Sequence, residues 1–128
     1  MISVDLREQV RQRAKRCCEY CRIPESSLNV TFHVEHIRAK QHLGTDDADN
    51  LALACDRCNL HKGPNLTSVD PETDQIAPLF HPRRDDWADH FQQVDGRIAG
   101  LTPTGRATAR LLQINTPIRV TLRRSLHS

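Results

Sequence analysis

Two Cys-x-x-Cys pairs stand 33 residues apart in the chain, Cys18-Glu-Tyr-Cys21 and Cys55-Asp-Arg-Cys58. A turn of this kind sets two thiolates on one side, and two such turns facing each other supply four sulfurs to a tetrahedral zinc. The separation exceeds that of compact zinc fingers, so a folded insert must lie between the pairs. Thioredoxin-like redox chemistry would need one pair beside a βαβ pattern, which this chain lacks. Cys17 offers a rival Cys17-x3-Cys21 pairing, but it continues an apolar stripe and reads as a core thiol.

Within the insert lies Phe32-His33-Val34-Glu35-His36-Ile37 and, further on, Asn50-Leu51; Asn59-Leu60-His61-Lys62-Gly63 follows Cys58 directly. Glu35 and the side-chain oxygen of Asn59 are hard ligands, suited to Mg²⁺ or Mn²⁺ rather than zinc. His36 beside them can take a proton from water near neutral pH. Together they suit hydrolysis of a phosphodiester, where a metal offsets charge on the phosphoryl and leaving oxygens. Arg57 and Lys62 flank Asn59 and read equally as phosphate contacts or as ordinary solvated charges. Arg106 with Arg110, and Arg119 with Arg123, are spaced four apart. If helical, each pair shares one face, either gripping a nucleic-acid backbone or simply forming a basic surface.

Several elements must position these groups. Ser3 can cap a helix with Asp5 in its first turn, and Leu6, Val10, Ala14 and Cys17 give that helix one apolar stripe. Residues 28–35 alternate Leu28, Val30, Phe32 and Val34 against Asn29, Thr31, His33 and Glu35, which predicts a strand with one buried side. Strict alternation would send Glu35 and His36 to opposite faces, so the chain must bend there. A polar loop over 44–49 leads to a short strand at 50–54, and Cys55 to Lys62 begins a helix stopped by Gly63-Pro64. Residues 64–89, with four prolines, read as an irregular connection held to the core by Leu79, Phe80 and Trp87, with Phe91 just beyond. Asp95-Gly96 predicts a hairpin, and Thr102-Pro103 starts a helix running to about Ile114. Ile118 to Arg123 fits a strand or a helix equally. His42, His81, His90 and His127 read as surface residues; Asp85, Asp86 and Asp89 beside Arg83 and Arg84 read as a solvated or paired face.

At 128 residues with five aromatic side chains, the chain is one domain whose modest core would gain from a metal staple. No apolar run reaches the roughly 18 residues needed to span a membrane. No export signal is visible, so a reducing, cytoplasmic setting is expected and cysteine pairs read as metal ligands before disulfides. Residues 1–22 sum to +3, 23–96 to −7, and 97–128 hold six arginines and no acid. Basic ends around an acidic middle suggest a polyanionic partner.

The ordered set C-x2-C, Glu35-His36, Asn50-Leu51, then C-x2-C-Asn-x2-Lys-Gly resembles the HNH endonucleases of the ββα-metal superfamily, over about residues 18–63. The resemblance implies an α+β fold: a small ββα-metal core closed by a four-cysteine zinc site on Cys18, Cys21, Cys55 and Cys58, with flanking helices at both ends. It implies a single nuclease domain with an N-terminal helix over 1–17 and a C-terminal extension over 64–128. It casts His36 as general base, Glu35 and Asn59 as ligands of one catalytic Mg²⁺ or Mn²⁺, and Asn50 as the residue that orients loop and base. DNA is the implied partner, cut to 5′-phosphate and 3′-hydroxyl ends; cutting both strands from one site per chain requires a homodimer or two visits.

Three departures from the family pattern stand out. Glu35 replaces the commoner Asp, Ala39 stands where proline often follows the histidine, and His33 and His61 are extra. His61 reads as a solvated helix-face histidine ahead of one that completes the metal site or touches phosphate, and His33 could support Glu35. Two rivals compete with the nuclease. A zinc nucleobase deaminase would use His33-x-Glu35 with Cys55-x-x-Cys58, but it lacks the proline before Cys55 and leaves the first cysteine pair idle. A non-catalytic zinc-ribbon module that binds nucleic acid explains the cysteines and basic ends, but not the acid-His pair and spaced asparagines.

Overall fold

The computed structural model describes residues 2–126, so His127 lies outside the described residues. Helix α1 spans Val4–Arg13, capped where the Ser3 side chain accepts the Leu6 N–H at 3.1 Å. Val10 is fully buried, but the stripe stops short of Cys17. Lys15 and Arg16 both take left-handed backbone with φ 55, turning the chain out of the helix. Cys17 then forms an isolated bridge with Pro24 and is only half-buried, so it is not the core thiol expected.

Strand β1 is His33–His36, pairing antiparallel with β2, Leu51–Ala54, in the register His33↔Ala54 to His36↔Leu51. The strand expected over 28–35 is shortened because β2 supplies only four partners. Its faces are also reassigned. Val30 is 42% exposed, while Glu35 turns inward at 7%. Helix α2, Asp56–Lys62, follows β2 at once, with Cys55 as its cap and Gly63 ending it at φ 50. These three elements are a ββα unit. The loop between the strands closes tightly: a Cβ on Gly44 would lie 1.7 Å from the Arg38 carbonyl oxygen, so only glycine fits there.

Residues 64–89 are more regular than expected. Strands β3, Thr67–Val69, and β4, Ile76–Pro78, form a hairpin whose turn is held by Asp70 accepting the Glu72 N–H at 2.9 Å. A single helical turn α3, Trp87–His90, leads into the hairpin β5, Phe91–Val94, and β6, Arg97–Gly100. Asp95 and Gly96 at its tip both have positive φ, as a type I′ turn demands. Helix α4, Pro103–Leu111, is capped by Thr102, and residues 117–126 resolve as helix α5, Pro117–Leu126.

One buried cluster joins both halves: Val10, Tyr20, Phe32 and Leu53 pack with Phe80, Phe91, Ile98 and Leu112. Tyr20 meets Phe80 edge-on, and Phe80 meets Phe91 likewise. Trp87 Nε1 donates to the Tyr20 carbonyl at 2.9 Å, tying the extension to the first cysteine turn. Two histidines expected at the surface are half-buried with partners: His81 Nδ1 accepts the Arg83 N–H, and His90 Nδ1 bonds Thr102 Oγ1 at 2.6 Å. Among the described residues no helix is long and apolar enough to cross a membrane.

Candidate active site and zinc centre

The four sulfurs of Cys18, Cys21, Cys55 and Cys58 lie within 4.8 Å of one another, and all four residues are buried. Cys21 Sγ and Cys55 Sγ are 3.7 Å apart, far beyond a disulfide bond. Zn–S bonds of about 2.3 Å put the edges of a tetrahedron at about 3.8 Å, so this cluster fits a structural zinc. Burial pushes the Cys18 thiol well above the usual thiol range, while hydrogen bonds from Cys18, Cys21 and Cys58 pull Cys55 down. A dication resolves that conflict by holding all four as thiolates. The ligand set is closed, and His33 sits exposed on β1 outside it. The deaminase reading needs His33 as a ligand and an open fourth position, and this four-cysteine cluster offers neither.

β1 brings Glu35 and His36 to this frame. Glu35 is buried between two donors: the Tyr20 hydroxyl donates to Oε1, and Lys62 Nζ lies 3.2 Å from Oε2. Burial raises the Glu35 carboxyl above its ordinary value, and the Lys62 charge opposes the rise. Lys62 also donates to the Ile37 carbonyl at 2.9 Å and is only 2% exposed. It is therefore the buried counter-ion of Glu35, and neither the phosphate contact nor the solvated charge read from sequence.

His36 is partly exposed at the end of β1. Its Nε2 lies 2.7 Å from Asp46 Oδ1, and Lys40 Nζ reaches the other oxygen at 3.1 Å. The His36 and Lys40 hydrogen bonds hold the Asp46 carboxyl well below the usual carboxylate range. Asp46 is thus an ionised acceptor, and a neutral His36 keeps its proton on Nε2 and its lone pair on Nδ1. Asn50 is buried under the same loop. It accepts the Arg38 N–H at 2.9 Å and donates to the Arg38 and Thr45 carbonyls at 3.0 and 2.8 Å.

Asn59 is half-buried on α2, one turn before Lys62, whose side chain meets Glu35. Carboxylate and amide oxygens on facing elements form a hard donor set, and each Glu35 oxygen retains a second lone pair. A carboxylate and an amide oxygen are the donor chemistry a small divalent cation would take, with Tyr20 and Lys62 already bonded to the Glu35 oxygens. His61 Nδ1 and Arg57 Nη2 both turn to Gln113, each at 3.5 Å. Of the arginines read as DNA contacts, Arg106 instead chelates the buried Asp70 at 2.9 and 2.8 Å, and only Arg110 is exposed. Arg119 and Arg123 do share a face of α5, but that face is buried.

Asp46 and Tyr20 escaped the sequence reading. Asp46 is one of three aspartates in its loop, and Tyr20 is an unremarked spacer inside a Cys-x-x-Cys turn.

Residues 18–65 match the family model described as HNH endonuclease. The matched stretch holds the whole ββα unit, all four zinc-suited cysteines, and the residues from Glu35 to Lys62. No curated protein and no solved structure matches the chain.

Proposed function

We propose that this chain is a metal-dependent endonuclease that hydrolyses DNA phosphodiester bonds. The observation that carries the reading is the His36–Asp46 pair, held at the open end of β1 next to buried Glu35 and stapled by Asn50. Asp46 fixes the tautomer, so His36 presents the Nδ1 lone pair to an attacking water and takes its proton. Asn50 holds the 37–45 backbone, which keeps Asp46 and His36 at hydrogen-bonding distance. Glu35 and Asn59 would hold a Mg²⁺ or Mn²⁺ ion. Such an ion, when bound, polarises the phosphoryl group and offsets charge on the departing oxygen. Tyr20 and Lys62 fix the Glu35 carboxylate in place from the zinc-knuckle side and the α2 side. His33 and His61 stay candidates for support around this site, and Arg57 and Arg110 for phosphate contact.

Supercoiled plasmid incubated with Mg²⁺ or Mn²⁺, with and without chelator, tests the proposal. Metal-dependent nicking is expected. Binding without nicking would instead favour a zinc module that only docks on nucleic acid.

A further inference from the structure

Two cations are buried on α5, the helix that meets the cysteine cluster through Arg119, and among the described residues Asp56 is the carboxylate bonded to either. Arg119 and Arg123, four residues apart on α5, are 7% and 2% exposed. Arg119 Nη1 donates to Cys55 Sγ at 3.5 Å, and its Nη2 donates to Asp56 Oδ1 at 2.9 Å. Arg123 gives Nε to the Gly96 carbonyl at 2.8 Å and Nη2 to the Ile114 carbonyl at 2.7 Å and Asn115 Oδ1 at 3.3 Å. Each of these Arg123 acceptors is neutral. Its Nη1 is buried with no acceptor among the described residues, and the Ile114 it bonds lines the space beside Cys21, Cys55 and Cys58. A guanidinium cannot shed its proton inside a protein, so a buried one requires opposite charge nearby. Four neutral thiols offer none. Four thiolates on Zn²⁺ carry a net charge of −2, which supplies the negative charge that Asp56 alone does not provide for two guanidiniums.

We infer that Arg119 and Arg123 are the charge partners of the zinc centre, so that zinc binding and docking of α5 are a single event. The centre thus draws on three parts of the chain: the turn at 18–21, the α2 cap at 55–58, and the last helix. Leu112, Ile114 and Arg119 close over Cys21, Cys55 and Cys58 on that side. The coupling is reciprocal: zinc holds the helix down, and the helix lowers the cost of gathering four negative sulfurs. This inference goes beyond the nuclease reading and needs no catalysis to be tested.

The test is zinc affinity of the full chain, by competition with a chromogenic chelator. R119M/R123M should bind zinc 10–100-fold more weakly, as loss of groups supporting metal ligands typically does. R119K/R123K, which keeps both charges, should recover much of that loss. Arg124→Met, at an exposed neighbour paired with Asp95, should change nothing. Unchanged affinity in R119M/R123M, or an equal loss in Arg124→Met, would overturn the inference. Should R119M/R123M fail to fold, hydrogen exchange on the wild-type chain decides. Protection over 117–126 should vanish at the chelator concentration that removes zinc, and protection that persists without zinc overturns the coupling.

Discussion

In the proposed mechanism, Asp46 determines which nitrogen of His36 is left to accept a proton. With a carboxylate on Nε2, the imidazole keeps its lone pair on Nδ1. Asp46→Asn puts an amide there that can donate as well as accept, so the tautomer is no longer set. Single-turnover plasmid cleavage should slow by roughly 10²-fold or more, as when other histidine bases lose their orienting carboxylate. DNA affinity and zinc content should stay at wild-type levels. A rate within twofold of wild type would remove Asp46 from the proposed mechanism. Glu35, His36, Asn50 and Asn59 could be singled out as candidates beforehand because their spacing is local and tied to the cysteine pairs. Asp46 was not, since Asp46, Asp47 and Asp49 look alike in sequence and only the closed loop chooses among them. Lys62 was misread for the same reason: its stem crosses from α2 to β1, and no periodicity announces a contact between elements.

At the level of elements, the join between β1 and α2 rests on the Glu35–Lys62 pair. Lys62→Met leaves a buried carboxylate without its cation and should cost about 3–5 kcal/mol of stability. The pH dependence has a definite sign. Glu35 has a folded pKa above its unfolded value even with Lys62 present, so its ionisation disfavours the fold. Stability from this group is fullest at pH below the unfolded value and declines as pH rises through the folded one. Losing Lys62 raises the folded value further, so Lys62→Met should recover part of its loss on acidification from neutral pH. Urea unfolding at several pH values checks this; a loss that grows on acidification would contradict it.

The β3–β4 hairpin carries the opposite sign. Arg106 and the turn hold the Asp70 carboxyl down to about 2. Asp70 therefore stabilises the fold above its ordinary value, and that contribution is lost as pH falls toward about 2. Arg106→Ala should thus unfold the hairpin more readily before it says anything about DNA. Elements with local signals were readable: the Ser3 and Thr102 caps, the Asp95-Gly96 turn and the Gly63 stop all fall where the sequence places them. The β3–β4 hairpin was hidden because its hold comes from Arg106, 36 residues away.

Across the whole molecule, the arginine-rich composition supports the interior more than expected. Arg119 donates to Cys55 Sγ, Arg123 to the Gly96 and Ile114 carbonyls, Arg106 to Asp70, and Arg13 to the Ala48 and Leu51 carbonyls. Much of the basic character at the chain ends is therefore spent on packing, and a count of charges overstates the surface left for a polyanion. Among the exposed arginines, Arg110→Ala should lower the salt slope of DNA binding by about one unit if it contacts a phosphate. An unchanged slope in the folded variant returns it to plain surface. The cysteine centre closes the fold: Cys55→Ser should lose both zinc and compact structure, and full zinc content in that variant would contradict the four-sulfur assignment. The central claim is narrower, that His36 activates water beside a zinc-stapled frame. It is tested most directly by plasmid nicking with purified His36→Ala, cleared of host nuclease and assayed across Mg²⁺ and Mn²⁺ concentrations. The account predicts wild-type zinc, fold and DNA affinity, with cutting reduced about 10²–10⁴-fold and no rescue by excess metal. Robust metal-dependent nicking by that protein would contradict it.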